Sequence, residues 1–446
     1  MPSPKLLSQL DLLRRILKDP QPVLDELARS VGPVCGLGIG PMRLAIVGDP
    51  AVLRELFAKP NDSFRWNHRF NLLAVVVGPG SMIVSDGAEH KRRRSSVQSA
   101  FSRRRLNGWI PMIVEQTDSA IDDVLSSVDP AGEVVDMYRV GRLLVVEIVV
   151  RAMFGERLAG HAAEFGELFQ RAQDYLEAPA YRQIPHRLPF TARARVGQDR
   201  RAFDAIVDEE IAHLRAEPTD DPLNVLASLV AQGDLTDGEI RDQVNSLIGA
   251  GYDTTSASLA WMLWRATLEP GLWARLGDEA DAVFGRDQDG GSDSITLAHL
   301  DLANRVMRET LRLHPAGVVS PREAAVDVVV GGYSIPKGTV ILWSAYLAGR
   351  NETAWTEPLS FNPDRFLDLT AEQREIANSS WVPFGGGARN CIGFALAQME
   401  LTLIIARMAQ RLNLVPNTSK VPRPVGMVVN RPSGGAPMLA TRRAKR

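Results

Sequence analysis

The sequence predicts a mainly α-helical fold with a small β region, arranged round one long central helix. Three observations carry that expectation. Helical periodicity dominates from residue 87 to about 275. A capping box, Thr236-Asp237-Gly238-Glu239, opens a helix that runs to about Leu268. Short β-branched runs, broken by Gly and Pro, collect near the N-terminus and in the last third of the chain.

Composition narrows the class before any motif is considered. The 446 residues are 45% hydrophobic and 23% charged, as in ordinary soluble globular proteins. Length alone suggests about three domains of about 150 residues each. The net charge of −2, from 51 basic and 53 acidic side chains, carries no signal for nucleic acid. Cys35 and Cys391 are too few for a disulfide scaffold, so a reducing, cytoplasmic setting is expected. Neither C-x-x-C nor H-E-x-x-H occurs, which argues against zinc. The opening MPSPKLLSQLDLLRRILKDP is interrupted by Asp11, Arg14, Arg15 and Lys18, so no transmembrane anchor is expected. Leu6, Leu7, Leu10, Leu12 and Leu13 offer it at most a weak peripheral membrane contact.

The elements follow in order. Residues 31 to 57 read as two short strands and a helix, with Gly48-Asp49-Pro50 as the turn into that helix. The "GLGIGP" run within them is followed by a strand rather than a helix, so it reads as a hairpin turn and not a nucleotide loop. "VGRLLVVEIVVRAMFG" is apolar nearly all round and reads as a buried helix. "RAFDAIVDEEIAHLRAE" and "PLNVLASLV" are amphipathic. Pro179, Pro185 and Pro189 punctuate an extended surface segment before them. The central helix, at 1.5 Å per residue, should be roughly 48 Å long and form the spine of the fold. "AAVDVVVGGYSIPKGTVILWSAYLAG" reads as hairpin-rich sheet, and "FALAQMELTLIIARMAQRL" as a strongly apolar helix.

Just ahead of that last helix stands "FGGGARNCIG", Phe384 to Gly393. A cysteine beside a helix N-terminus meets unpaired N–H groups that favour thiolate, the form that ligates metal. Arg389 adds positive charge, and the glycines permit positive φ and close backbone approach. A lone thiolate without a second nearby ligand suits the axial bond of a heme iron. An inert cysteine fits Cys35 better. A nucleophile needs a histidine base, and that alternative stays open at the level of sequence.

Phe384-x-x-Gly387-x-Arg389-x-Cys391-x-Gly393 resembles the heme-binding signature of the cytochrome P-450 family. The resemblance implies the P-450 fold, a single triangular domain over residues 1–446, and heme b (iron protoporphyrin IX) as cofactor. It implies Cys391 as the proximal thiolate, Phe384 packed near the sulfur, Gly387 and Gly393 tight against the porphyrin, and Arg389 on a propionate.

Other segments agree in order. Ala250-Gly251-Tyr252-Asp253-Thr254-Thr255 resembles the family's oxygen-activation motif. It implies that Ala250 lies over the heme, that Thr254 hydrogen-bonds the oxygen under activation, and that Asp253 belongs to a proton relay. Two glycines in mid-helix cost about 2 kcal/mol against alanine. That suggests either a groove opened in the helix or a tight helix crossing. Glu309 and Arg312, with Arg365 of "Phe361-Asn362-Pro363-Asp364-Arg365-Phe366", resemble the family's buried structural network. His90 and Arg94, four residues apart, resemble its propionate contacts, and Arg322 is a further candidate. Where the family often has His-Arg-Asp, this chain has Gly349-Arg350-Asn351.

These resemblances imply a monooxygenase that inserts one atom of O2 into a hydrophobic or amphipathic small-molecule substrate, by hydroxylation or epoxidation. The pocket is expected to draw on Phe70 to Val77, Asn245 to Gly249, Ala316 to Val319 and Met427-Val428. Electrons would come from NAD(P)H through a separate ferredoxin and ferredoxin reductase. Lys91, Arg92, Arg93 and Arg103 to Arg105 would form the docking patch. The alternatives are a peroxide-driven or isomerising heme-thiolate enzyme, and a non-catalytic heme sensor or carrier. The Asp253-Thr254 pair argues against both.

Overall fold

The computed structural model describes residues 1–16, 19–39, 42–67, 72–178, 183, 190–221, 223–285, 297–426 and 428–444. The central helix spans Asp237–Leu268 without a break. Thr236 accepts from the Glu239 backbone N–H, and the Glu239 carboxylate accepts from the Thr236 N–H, so the capping box forms as expected. This helix is buried along most of its length and packs most extensively on the Met137–Phe154 helix. A second apolar pair, Leu272–Phe284 and Phe394–Arg411, closes the other side of the core. None of the described helices is long and apolar enough to cross a membrane.

The strands gather mainly into one five-stranded sheet. Its order is Val34–Ile39, Met42–Val47, Val340–Trp343, Ser320–Ala324 and Phe64–Arg65. All neighbours are antiparallel except Met42–Val47 with Val340–Trp343, which run parallel. The expected N-terminal hairpin and following helix, Pro50–Ala58, are both present, and the Asp49 side chain caps that helix. The hairpin tip, Gly40 and Pro41, lies outside the described residues. Val328–Val330 and Tyr333–Ile335 make the expected second hairpin. At the N-terminus, Leu12 and Ile16 of the Leu6–Ile16 helix are buried against the sheet. The side chains of Leu6, Leu7, Leu10 and Leu13 lie outside the described residues, as do Pro179, Pro185 and Pro189.

One wall of the interior is joined by side chains rather than by a backbone ladder. Residues 76 to 85 run along the first turns of the central helix. Gly80 N–H donates to Asp242 Oδ2 at 2.6 Å and Met82 N–H to Gln243 Oε1 at 3.0 Å. Gln243 and Asn245 return bonds to the Gly80 and Val76 carbonyls at 2.6 and 3.1 Å. Arg200, from the Ala192–Ala216 helix, pairs with Asp242 and donates to the Val76 carbonyl at 3.1 Å.

One of the mid-helix glycines has a packing cause. A Cβ on Gly249 would stand 2.9 Å from the Phe169 ring, and one on Gly251 would stand 3.4 Å from Val149. Gly249 thus sits in a tight helix crossing, whereas at Gly251 the contact is an ordinary one and the residue lines the cavity described below.

The expected buried network is also seen. Glu309 and Arg312 face each other on the Asp301–Leu313 helix with no exposure of either side chain. Arg365 Nε reaches Glu309 Oε1 at 3.3 Å. Arg312 also donates to the carbonyls of Pro358 and Ser360 at 2.6 and 3.0 Å, which ties the helix to the loop that carries Arg365.

Candidate active site

Between the central helix and the Phe394–Arg411 helix lies a cavity of about 410 Å³. Its walls bring together most of the residues singled out above. Cys391, Phe384, Arg389 and Gly393 line it from the loop, and Ala250 and Thr254 from the central helix. His90 and Arg94 come from the Gly87–Gln98 helix, and Arg322 from the Ser320–Ala324 strand.

The loop is built to present sulfur. Cys391 N–H donates to the Phe384 carbonyl at 2.9 Å, which closes the turn. Gly387 sits at φ +70°, and a Cβ there would lie 2.4 Å from the Phe57 carbonyl oxygen. Its requirement for glycine therefore comes from packing on Phe57, on a residue that does not itself line the cavity. Gly393 would tolerate a Cβ against protein, with Phe101 at 3.7 Å. Cys391 is exposed only in the sense that it opens into the cavity, because protein surrounds the rest of it. Burial pushes its thiol up, while the Gly393 N–H and Arg94 pull it back. Burial outweighs the helix-start effect expected from sequence. The charge beside the sulfur is Arg94 rather than Arg389, which turns the other way.

Arg389 donates to the carbonyls of Met82 and Ser85 at 3.3 and 2.5 Å, and pairs with Asp86 at 3.3 Å. It stacks over the Trp66 ring at 3.9 Å. Arg322 lies 5.0 to 5.3 Å from the rings of Phe57, Phe64 and Trp66. Burial lowers both guanidinium groups to about 10. The Nε of each is buried without a protein partner. Arg94 donates to Asn390 at 3.0 Å. Burial, then Arg389 and Arg94, lowers His90 to about 4, so it is a neutral donor or acceptor.

This donor set fits one kind of guest. Three arginines with two unsatisfied Nε–H groups ask for carboxylates at one edge of the cavity. A thiol kept high by burial becomes a good thiolate once a cation stands opposite it. A flat macrocycle with a central iron and two carboxylates meets both demands.

On the opposite wall, Thr254 lines the cavity and its hydroxyl donates to the Ala250 carbonyl at 2.6 Å. Asp253 does not line the cavity. It is 4% exposed and turned towards the Met137–Phe154 helix, where Oδ1 accepts from the Tyr138 hydroxyl at 3.4 Å. Burial pushes its carboxyl up, opposed by Arg431 and Arg142. Of the expected pocket segments, Leu73, Ser246, Leu247, Ala316 and Gly317 line the cavity. Asn245 and Val76 instead line a separate small cavity beside the Ala162–Leu176 helix, and Val428 lines neither. Phe70 and Met427 lie outside the described residues.

Among the lining residues that sequence reasoning missed, Trp66 and Glu400 stand out. Trp66 had no signal in its surroundings. Glu400 did: it is a lone acid inside an apolar helix. It is fully buried, and burial lifts its carboxyl to about 8.

Two arginines of the expected docking patch are already paired within the chain. Arg93 pairs with Glu239 at 2.9 Å, and Arg92 pairs with Glu239 and, at 2.7 Å, with Glu89. Arg105 donates to Ser228 at 2.6 Å. Lys91, Arg103 and Arg104 remain exposed, with no ion pair among the described residues.

Known proteins agree with this architecture. A model of the cytochrome P450 family matches residues 2–437. Cytochrome P450 139 of Mycobacterium tuberculosis is 34% identical over 394 residues, covering 87% of this chain and 89% of that protein. Cyclooctatin synthase of Streptomyces melanosporofaciens is 31% identical over 363 residues, covering 78% of this chain and 76% of its own. Among solved structures, retinoic acid-bound cyanobacterial CYP120A1 superposes with a TM-score of 0.80 at 20% identity, over 94% of each chain. A zebrafish cytochrome P450 with progesterone gives 0.79 at 22% identity, over 95% of this chain and 99% of that one. The chain belongs to the cytochrome P450 family and is a heme-thiolate monooxygenase.

Proposed function

We propose that the protein hydroxylates or epoxidises a hydrophobic or amphipathic small molecule with O2. Electrons would reach it from NAD(P)H through a separate ferredoxin and ferredoxin reductase in the cytoplasm. The observation that carries the reading is the Thr254 hydroxyl on the cavity wall, with the buried acid Asp253 next to it in sequence.

Heme, when bound, supplies the redox centre at which O2 is reduced. The chain's own residues do the rest. Cys391 would supply the thiolate ligand, within a loop held by Phe384 and Gly387. His90, Arg94, Arg389 and Arg322 would hold the heme carboxylates, and Ala250 and Gly393 would leave it room. Thr254 can exchange its bond to the Ala250 carbonyl for one to the reacting oxygen, so a proton is held at its Oγ1. Asp253 is the reserve of protons behind it. Leu73, Ile83, Leu247 and Ala316 give the substrate an apolar seat. Cyclooctatin synthase and the retinoic acid- and progesterone-bound structures bear names compatible with apolar guests, which supports that class and no particular molecule.

The test is Thr254→Ala. Product per NAD(P)H consumed should fall by about tenfold or more while NAD(P)H oxidation continues. Coupled turnover at the parent level would sink the O2 reading and favour a peroxide-driven enzyme.

A further inference from the structure

Arg322 is a buried cation without a countercharge. It is 5% exposed, forms no ion pair among the described residues, and its Nε has no hydrogen-bond partner. Three aromatic rings surround it instead, those of Phe57, Phe64 and Trp66, at 5.0 to 5.3 Å. One of these rings is shared. Arg389 lies over Trp66 at 3.9 Å, so two cations of the cavity edge fall within cation–π reach of a single indole.

The chain places Trp66 there by two separate means. The Phe64–Arg65 strand pairs with Ser320–Ala324, with Arg65 opposite Glu323, so the residue that follows comes level with Arg322. The Asp86 carboxylate then fixes the backbone: Oδ1 accepts from the Trp66 N–H at 2.9 Å and Oδ2 from the Asn67 N–H at 3.0 Å. Asp86 stands at the N-cap of the Gly87–Gln98 helix, yet its side chain makes no capping bond. An aspartate at that position ordinarily bonds the N–H groups of its own helix. This one holds residues 66 and 67 and, at 3.3 Å, Arg389.

The two arginines are left with the same group to spare. The Nη atoms of Arg389 donate to the Met82 and Ser85 carbonyls, and its Nε is buried without a protein partner, like that of Arg322. A guanidinium laid on an aromatic ring keeps its N–H edge available for a carboxylate. Both arginines and the ring line the same cavity.

We propose that Trp66 is a positioning residue for heme: its ring, fixed by Asp86, aims the Nε–H groups of Arg389 and Arg322 at the heme carboxylates. The inference rests on heme as the cofactor and not on the O2 reading. In a plain packing role the indole only fills a corner of the cavity. That role draws no distinction between a heme with free carboxylates and one without.

The experiment loads the full chain with heme b or with its dimethyl ester, in which both carboxylates are masked. Transfer of each porphyrin to excess apomyoglobin is then followed. Trp66→Leu should release heme b about tenfold faster than the parent, and the ester no faster. Trp66→Phe keeps a weaker π face, so it should release heme b about threefold faster, with the ester again unmoved. The reduced carbon-monoxide complex of both variants should keep the thiolate Soret band. Equal acceleration of the two porphyrins makes Trp66 a packing residue and overturns the proposal, as does unchanged release of heme b from Trp66→Leu. If Trp66→Leu does not accumulate as folded protein, the same comparison in Trp66→Phe decides: faster release of heme b alone upholds the proposal, and any other result overturns it.

Discussion

Arg312 grips Glu309 through two hydrogen bonds of 2.8 Å each, and neither side chain meets solvent. Truncating either partner strands the other's charge in the core. Glu309→Ala or Arg312→Ala should cost about 3–5 kcal/mol in urea unfolding, enough to prevent accumulation of folded protein. Arg365→Ala, whose contact is 3.3 Å and at the edge of solvent, should cost clearly less. Equal losses at the three positions would contradict this ranking.

Glu400 gives a pH signature. Its carboxyl is raised from 4.5 to about 8 by burial, so the folded state keeps a proton that the unfolded state releases. Stability from this group is therefore greatest below pH 4.5 and declines as pH rises towards 8, by about 1.4 kcal/mol per unit at most. Glu400→Gln should flatten that part of the melting-temperature profile. A profile parallel to the parent's across the window would show that the carboxyl is already ionised.

Gly387 should not accept a side chain. Alanine there meets a left-handed φ, worth about 1–2 kcal/mol, and a Cβ 2.4 Å from the Phe57 carbonyl oxygen. Gly387→Ala should lower the urea midpoint and the fraction of purified protein that retains heme. Gly393→Ala has room against protein, so it should fold normally and lose only heme.

Partner docking can be separated from stability. Lys91→Glu and Arg104→Glu should slow electron transfer from a ferredoxin by about tenfold at low salt, with the difference vanishing at high salt. Arg92→Glu places a like charge against Glu239, so it should lower the melting temperature instead. Unchanged rates in the first pair would remove this face from consideration.

What the sequence revealed and what it hid divide along a physical line. The start of the central helix was readable because the Thr236 and Glu239 exchange is local. The Cys391 loop was readable because its glycines, arginine and cysteine are fixed within ten residues. Gly249 announced a cost without its cause, since Phe169 belongs to another helix. Arg92 and Arg93 read as part of a docking patch because Glu239, their partner, is more than a hundred residues away. Trp66 owes its meaning entirely to neighbours brought in by folding. Arg322, the weakest of the propionate candidates in sequence, is among the most deeply buried arginines of the cavity.

The attachment of residues 76 to 85 to the central helix is a seam of individual stitches. Asp242, Gln243 and Asn245 each hold one or two backbone groups, through bonds worth about 1 kcal/mol net for the amides and about 1.5–3 kcal/mol for the Asp242 carboxylate. A β-ladder in the same place would have to unzip as a unit. A cavity of about 410 Å³, shared with a macrocycle, is snug for a bulky guest. Residues 76 to 85 are held by bonds that can open one at a time, and neither a helix nor a strand has to come apart for this wall to yield.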